Sequence, residues 1–361
     1  MGFNGLVQLR TSTARATSKF PLFLELRLSE TKHDVHKPAA GGNDVFNSME
    51  PVHIPAIAYA LPERTVDLTT LAGKGLLESP ATSLAEFGFR RVHVSDRDAH
   101  DLALGAVQQL LDEHAIDPES IDVIFFAGAI PSSHYVAASE APLAGFTYPA
   151  ARIQYECGLL NATAHGVSQS GCTGLMDAVA LAADHLVANP CARRIVCVSA
   201  DVLPARAKRE IIFNVISDGA CALLIERGAG PHRLLARTRI TKGYYWNAGA
   251  SQNEIVASYF PTARTLVRDT LAGLGMEPRD VTAVIPHNVS LRSWEILLPM
   301  VGIPLDRLFA DNIAQKGHVI AGDNFINLRD AADYGRISAG DRLLLFNFGF
   351  GAHWACMVLE A

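Results

Sequence analysis

The sequence predicts an α/β protein built from two pseudo-symmetric halves whose sheets are covered by helices on both faces, and three observations carry that prediction. Its apolar strands are continuous rather than alternating, as at 195–200 and 343–346, the pattern of strands buried on both faces. The order of elements repeats, with two matching strands that begin 160 positions apart, at Ile121 and Val281. In each half, a polar turn containing glycine opens a helix that is followed by another apolar strand.

In the first half, helical spacing of apolar residues over 99–114 ends at Asp117-Pro118-Glu119, and the strand 121–126 follows and runs into Ala127-Gly128. The turn Ser168-Gln169-Ser170-Gly171-Cys172-Thr173-Gly174 opens a helix over 175–186, and strands at 193–198 and 219–225 close the half. The second half repeats this: a helix over 262–274, the turn 276–280, a strand at 281–285 running into Pro286-His287, the turn 317–324, a helix over 325–332, and strands at 341–346 and 351–359. The expected division is therefore 49–226 and 227–361. Loops at the carboxyl ends of the strands should converge near the junction, where open α/β sheets place their ligands.

Composition bounds the alternatives. A chain of 361 residues, 49% hydrophobic and 19% charged, can bury a sizeable core and is neither disordered nor fibrous. A formal net charge of −6 offers no overall attraction to nucleic acid or to an anionic membrane. No stretch approaches the ~18 apolar residues of a membrane span. The six cysteines include no C-x-x-C pair, so no metal site is expected, and free thiols suit a reducing cytoplasm. Residues 1–48 lack a sustained period; Glu25, Glu30 and Asp34 argue against a transit peptide, and the segment is expected to be a disordered extension or an over-called start, with Met49 as the beginning.

Cys172 is the candidate nucleophile. It lies between two glycines at the start of a helical segment, where the helix dipole and unpaired backbone N–H groups favour a thiolate. The other five cysteines lie in apolar or ordinary contexts and are expected simply to pack. A cysteine nucleophile needs a base and a group that orients it. His287, directly after a strand, is the expected base, with Asp323 as the orienting carboxylate. Asp323 as a plain helix cap is the competing reading. His318 and Asn324, in the same turn as Asp323, are further candidates.

Taken together and in this order, Gly171-Cys172-Thr173-Gly174, Asp218-Gly219-Ala220, His287-Asn288-Val289-Ser290-Leu291-Arg292 and Phe348-Gly349-Phe350-Gly351-Ala352 resemble the β-ketoacyl-acyl-carrier-protein synthase III branch of the thiolase superfamily. The resemblance spans the chain from about Met49. It implies a five-layered α-β-α-β-α thiolase-like fold, a homodimer, and acylation of Cys172 by acyl-CoA or a phosphopantetheinyl acyl carrier protein, with no bound cofactor. It also implies an oxyanion hole from the backbone N–H groups of Cys172 and Phe350. Arg90 and Arg292 fall where the family places basic residues for the CoA or carrier phosphate, with Arg209 a weaker third; Lys208 and Arg209 are alternatively part of a basic patch for the carrier protein.

Decarboxylating members of that family carry an Asn in a Gly-Asn-Thr/Ser turn, where this chain reads Gly317-His318. A Cys-His-Asp set is similar to that of synthase-III-like acyltransferases of secondary metabolism, which pass the acyl group to a hydroxyl or amine of a small-molecule acceptor. Acyl transfer is therefore the expected activity. The alternatives are decarboxylative condensation with a malonyl thioester in fatty-acid or polyketide synthesis, with His318 or Asn324 in place of the Asn, and a non-catalytic partner subunit. The aromatic cluster Tyr244-Tyr245-Trp246 is a candidate cap over the acyl pocket.

Overall fold

The computed structural model describes residues 50–130, 147–212 and 214–361; the expectation for 1–48 lies outside them. Nine strands build two sheets. The first contains β1 (Val52–Ala60), β2 (Val123–Ala127), β3 (Thr163–Val167), β4 (Arg194–Asp201) and β5 (Gly219–Arg227) in the order β1-β5-β4-β2-β3. The second contains β6 (Arg233–Thr241), β7 (Ala283–Pro286), β8 (Arg342–Gly349) and β9 (His353–Glu360) in the order β6-β9-β8-β7.

The repeat seen in the sequence is a repeat of pairing. β5 runs antiparallel to both β1 and β4, which is parallel to β2; β9 likewise runs antiparallel to both β6 and β8, which is parallel to β7. The fifth strand of the first sheet, β3, has as its counterpart only a single bridge between Val284 and Leu308. β3 is mostly solvent-exposed, and its outer edge has no partner strand among the described residues.

Six longer helices cover the sheets: α1 (Ala99–Glu113), α2 (Pro149–Glu156), α3 (Gly174–Ala188), α4 (Gln252–Gly273), α5 (Leu291–Val301) and α6 (Asp323–Asp333). Burial explains the layering. α1 and α2 bury leucine, alanine and isoleucine side chains against one face of the first sheet, and α4 and α5 do the same on the far face of the second. α3 and α6 lie between the sheets, and their side chains share one apolar cluster with both. α3 is apolar nearly all round, burying ten of its residues, as a helix in a middle layer must. The result is the expected α-β-α-β-α order. None of the helices among the described residues is long and apolar enough to cross a membrane.

One boundary differs markedly from expectation. Pro261 places the expected helix start at 262, because proline removes a backbone donor and crowds the preceding turn. In the structure α4 begins at Gln252 and runs through Pro261. The ten additional residues are held by apolar side chains such as Ile255, Tyr259 and Phe260, which pack into the cluster on the outer face of the second sheet. Tertiary burial outweighs the local penalty.

Candidate active site

The two middle-layer helices begin at the same place. Cys172 sits in the single turn Gly171–Thr173 that leads into α3, and His318 precedes the turn Ile320–Gly322 that leads into α6. Both helix N-termini thus converge, adding positive potential where a thiolate would form. Two glycines permit the approach of the β8–β9 connection to this point. Gly171 has a φ of +57°, and a Cβ there would lie 2.9 Å from Phe350 N; a Cβ on Gly349 would lie 2.0 Å from Ser170 O. Backbone therefore packs directly on backbone, and Phe350 comes to rest beside the Cys172 turn.

His318 is fixed at both ends of its peptide: its N–H donates to Val215 O and its carbonyl accepts from Ser217 N, each at 2.9 Å. Its Nε2 lies 3.4 Å from Cys172 Sγ, and its Nδ1 meets Asp323 Oδ2 at 2.5 Å. Asp323 is in turn held by Val319 N and Asn288 N, each donating at 2.6 Å. Ile320, with a φ of +51°, carries the strained backbone that folds residues 318–323 into one turn. Cys172, His318 and Asp323 are all buried.

The partner of Cys172 and of Asp323 is therefore His318 and not, as expected from the sequence, His287. His287 does follow β7 and is fully buried, but its Nε2 faces the Tyr259 hydroxyl at 3.4 Å, and Trp294, Phe346 and the His318 ring surround it edge-on. The Asp323 carboxylate touches the backbone of Asn288 but makes no bond to the His287 ring. The two histidines are electrostatic opposites. Burial opposes charge on His318, but the Asp323 carboxylate and the Cys172 sulfur outweigh it and hold its pKa up at about 10. Burial, reinforced by the neighbouring His318, pushes His287 well below the usual imidazole range, so it stays neutral. The resting arrangement thus holds a charged imidazole at His318 beside the Cys172 sulfur and a neutral one at His287.

The cavity above this pair encloses about 270 Å³. Cys172, His318, Tyr259, Phe348 and Phe350 line its base and walls, with Ile255, Phe260, Val289 and Ile296 adding apolar surface. Asn214, Ser290, Ser293 and Arg292 supply its polar lining. Arg292 is exposed and pairs with Glu295. Arg90 lies on a neighbouring segment, joined to the start of α5 by the bond from Leu291 N to Phe87 O.

Three other expectations change. Arg209 is buried, and its guanidinium binds both oxygens of the fully buried Asp218 at 2.8 and 2.9 Å, so it is available neither to a phosphate nor to a carrier-protein patch. Asn324 is fully buried and does not line the cavity; its amide donates to Ile285 O and Phe346 O while its oxygen accepts from Asn347, which also donates to Cys172 O. It clamps the site's strands together rather than facing a substrate. Trp246 is 81% exposed and lines no part of the cavity. From the second case of paired charge follows a prediction: Arg209→Ala, which strands the Asp218 carboxylate in the interior, should cost about 3–5 kcal/mol of stability in a urea titration, with no rise in KM for the acyl donor.

The fold and site define a protein of the thiolase superfamily, with a cysteine at the meeting point of two pseudo-symmetric helix starts. The family described as 3-oxoacyl-[acyl-carrier-protein] synthase III, C-terminal, matches residues 271–361. β-Ketoacyl-[acyl-carrier-protein] synthase III of Desulfotalea psychrophila is 26% identical over 299 residues, covering 75% of this chain and 87% of the relative. Among solved structures, the 3-oxoacyl-[acyl-carrier-protein] synthase III of Aquifex aeolicus superposes with a TM-score of 0.74 at 21% identity, over 86% of this chain and 100% of that one. The acyltransferase ChlB3 gives a TM-score of 0.74 at 22% identity, over 86% and 98%. The chain is a β-ketoacyl-acyl-carrier-protein synthase III-like member of the thiolase superfamily, a family of ketosynthases and acyltransferases.

Proposed function

We propose that this protein takes an acyl group from an acyl-CoA or acyl carrier protein onto Cys172 and passes it, without decarboxylation, to a hydroxyl or amine acceptor. The observation that carries the reading is the line from Asp323 through His318 to Cys172. The thiolate attacks the thioester carbonyl, the donor carbon–sulfur bond breaks, and the donor sulfur leaves with the proton of His318. Neutral His318 then takes the proton of the acceptor as its oxygen or nitrogen attacks the acyl carbon; the bond to Cys172 breaks and the thiolate–imidazolium pair is restored. In both steps the backbone N–H groups of Cys172 and Phe350 are assigned to the developing oxyanion.

Condensation with a malonyl thioester asks for something else, namely donors that hold the enolate oxygen after CO₂ leaves. Once Cys172 is acylated, His318 offers a lone pair there instead, and His287 stands behind Tyr259 rather than on the cavity wall. Arg292 on the cavity lining, with Arg90 on the adjoining segment, is assigned to the donor's phosphate groups. The edge of β3, which has no partner strand among the described residues, supports a homodimer.

Intact-mass analysis with a panel of acyl-CoA and acyl-carrier donors tests the reading. A mass increase that requires Cys172, absent in Cys172→Ala, and no CO₂ from a following malonyl-thioester chase are expected. Release of CO₂ would make the protein a condensing enzyme; no acylation by any donor would make it a non-catalytic subunit.

A further inference from the structure

Resting on that reading, the structure also bears on which acceptor is used. Tyr259 projects from α4 into the cavity that holds Cys172 and His318, and its hydroxyl is the contact of His287 Nε2 at 3.4 Å. The other ring nitrogen of His287, Nδ1, is buried with no hydrogen-bond partner. Its surroundings are aromatic rings, which explains the lack of one. His287 is neutral, so it carries a single ring proton, on one nitrogen or the other. A proton on Nδ1 would leave a buried N–H without an acceptor, and unpaired buried donors are the rarer and costlier defect. The tautomer that avoids this carries the proton on Nε2 and donates it to the Tyr259 oxygen. The Tyr259 O–H is then not consumed by His287, and burial, which pushes the phenol upward, keeps it protonated.

We propose that Tyr259 donates a hydrogen bond to the attacking atom of the acceptor, and that the acceptor is therefore an alcohol rather than an amine. The reason is the count of lone pairs. An attacking hydroxyl uses one lone pair on the acyl carbon, gives its proton to His318, and has a second lone pair to receive the Tyr259 proton. A neutral amine has one lone pair, which the attack consumes, so it cannot accept from Tyr259 while it reacts. In an apolar cavity a hydroxyl held by both His318 and Tyr259 has its hydrogen-bonding needs met; an amine leaves the Tyr259 donor unpaired, and a site built around a hydroxyl discriminates strongly on that ground. Tyr259 is thus assigned as a substrate-binding and specificity-determining residue, with His287 as the residue that positions it.

The test uses the full-length enzyme, acylated on Cys172 with hexanoyl-CoA and freed of excess donor, then mixed with 1-hexanol or hexylamine of equal chain length. Loss of the acyl adduct and appearance of hexyl hexanoate or N-hexylhexanamide are followed by mass spectrometry. The wild type should lose its acyl group to hexanol faster than to hexylamine. In Tyr259→Phe the rate at which the pre-formed acyl-enzyme reacts with hexanol should fall about tenfold or more, and the preference for the alcohol should disappear. An alcohol preference that survives in Tyr259→Phe, a wild-type preference for hexylamine, or an acyl-enzyme inert to both overturns the proposal. Failure of Cys172 to acylate overturns the underlying reading instead. Independently of turnover, ¹⁵N shifts of the His287 ring should show the proton on Nε2; a proton on Nδ1 would refute the assignment.

Discussion

Replacing His318 with alanine is expected to lower acyl transfer by about 10²–10⁴-fold, the usual contribution of a positioned general acid–base group. His318 Nε2 lies 3.4 Å from Cys172 Sγ, and Asp323 fixes the ring through Nδ1. Both half-reactions should suffer, because in the proposed mechanism the same imidazole protonates the departing donor sulfur and deprotonates the acceptor. Single-turnover acylation followed by acceptor-dependent loss of the adduct, both read by intact mass, separates the two. His287→Gln is the informative control. It should leave acylation near the wild-type rate, since His287 is neutral and does not line the cavity. A large loss of acylation in His287→Gln with little change in His318→Ala would reverse the assignment of roles.

Asp323→Asn should reduce turnover by about 10⁴-fold, as expected when a buried carboxylate that sets a histidine's tautomer becomes an amide. The pH dependence should change with it. The carboxylate and the Cys172 sulfur raise the His318 pKa to about 10 against the opposing effect of burial, so the His318 imidazolium of the free enzyme persists until the pH approaches that value. Without the carboxylate, burial acts with less opposition and the His318 pKa falls. The basic limb of the acylation rate should then move to lower pH. Stability follows the same linkage: a folded-state pKa raised above the unfolded value of about 6.5 contributes stability that is fully present below pH about 6.5 and is lost as the pH rises toward about 10. Urea titrations between those limits should show a declining stability for the wild type and a flatter dependence for Asp323→Asn. An unaltered pH profile in the variant would mean that Asp323 is only a structural cap.

Much of the fold was legible because it rests on local patterns. Continuous apolar strands and recurring turns announce the two halves, and strand pairing in the structure repeats in the same order. Cys172 was legible for the same reason: a glycine-flanked residue at a helix start is a short-range signature with a direct electrostatic meaning. The partner of Cys172 was not. His287 follows a strand end and His318 lies in a turn, and both positions are compatible with catalysis from sequence alone. Tyr259 carried still less signal, since Pro261 suggests a helix boundary just where the helix in fact continues. Arg209 read as an exposed phosphate ligand because arginine is usually exposed; its burial against Asp218 depends on a contact that no local pattern reveals.

The sequence by itself determined the α/β class, the repeated order of elements, the cysteine at a glycine-flanked helix start and the presence of a histidine and a carboxylate in the turn at 317–324. Only the tertiary structure decided which histidine reaches the sulfur, because that depends on the approach of two side chains 146 residues apart in sequence and on backbone packing at Gly171 and Gly349. Periodicity reports which face of an element is buried. It does not report which side chains meet across layers, and chemistry at Cys172 depends on that meeting.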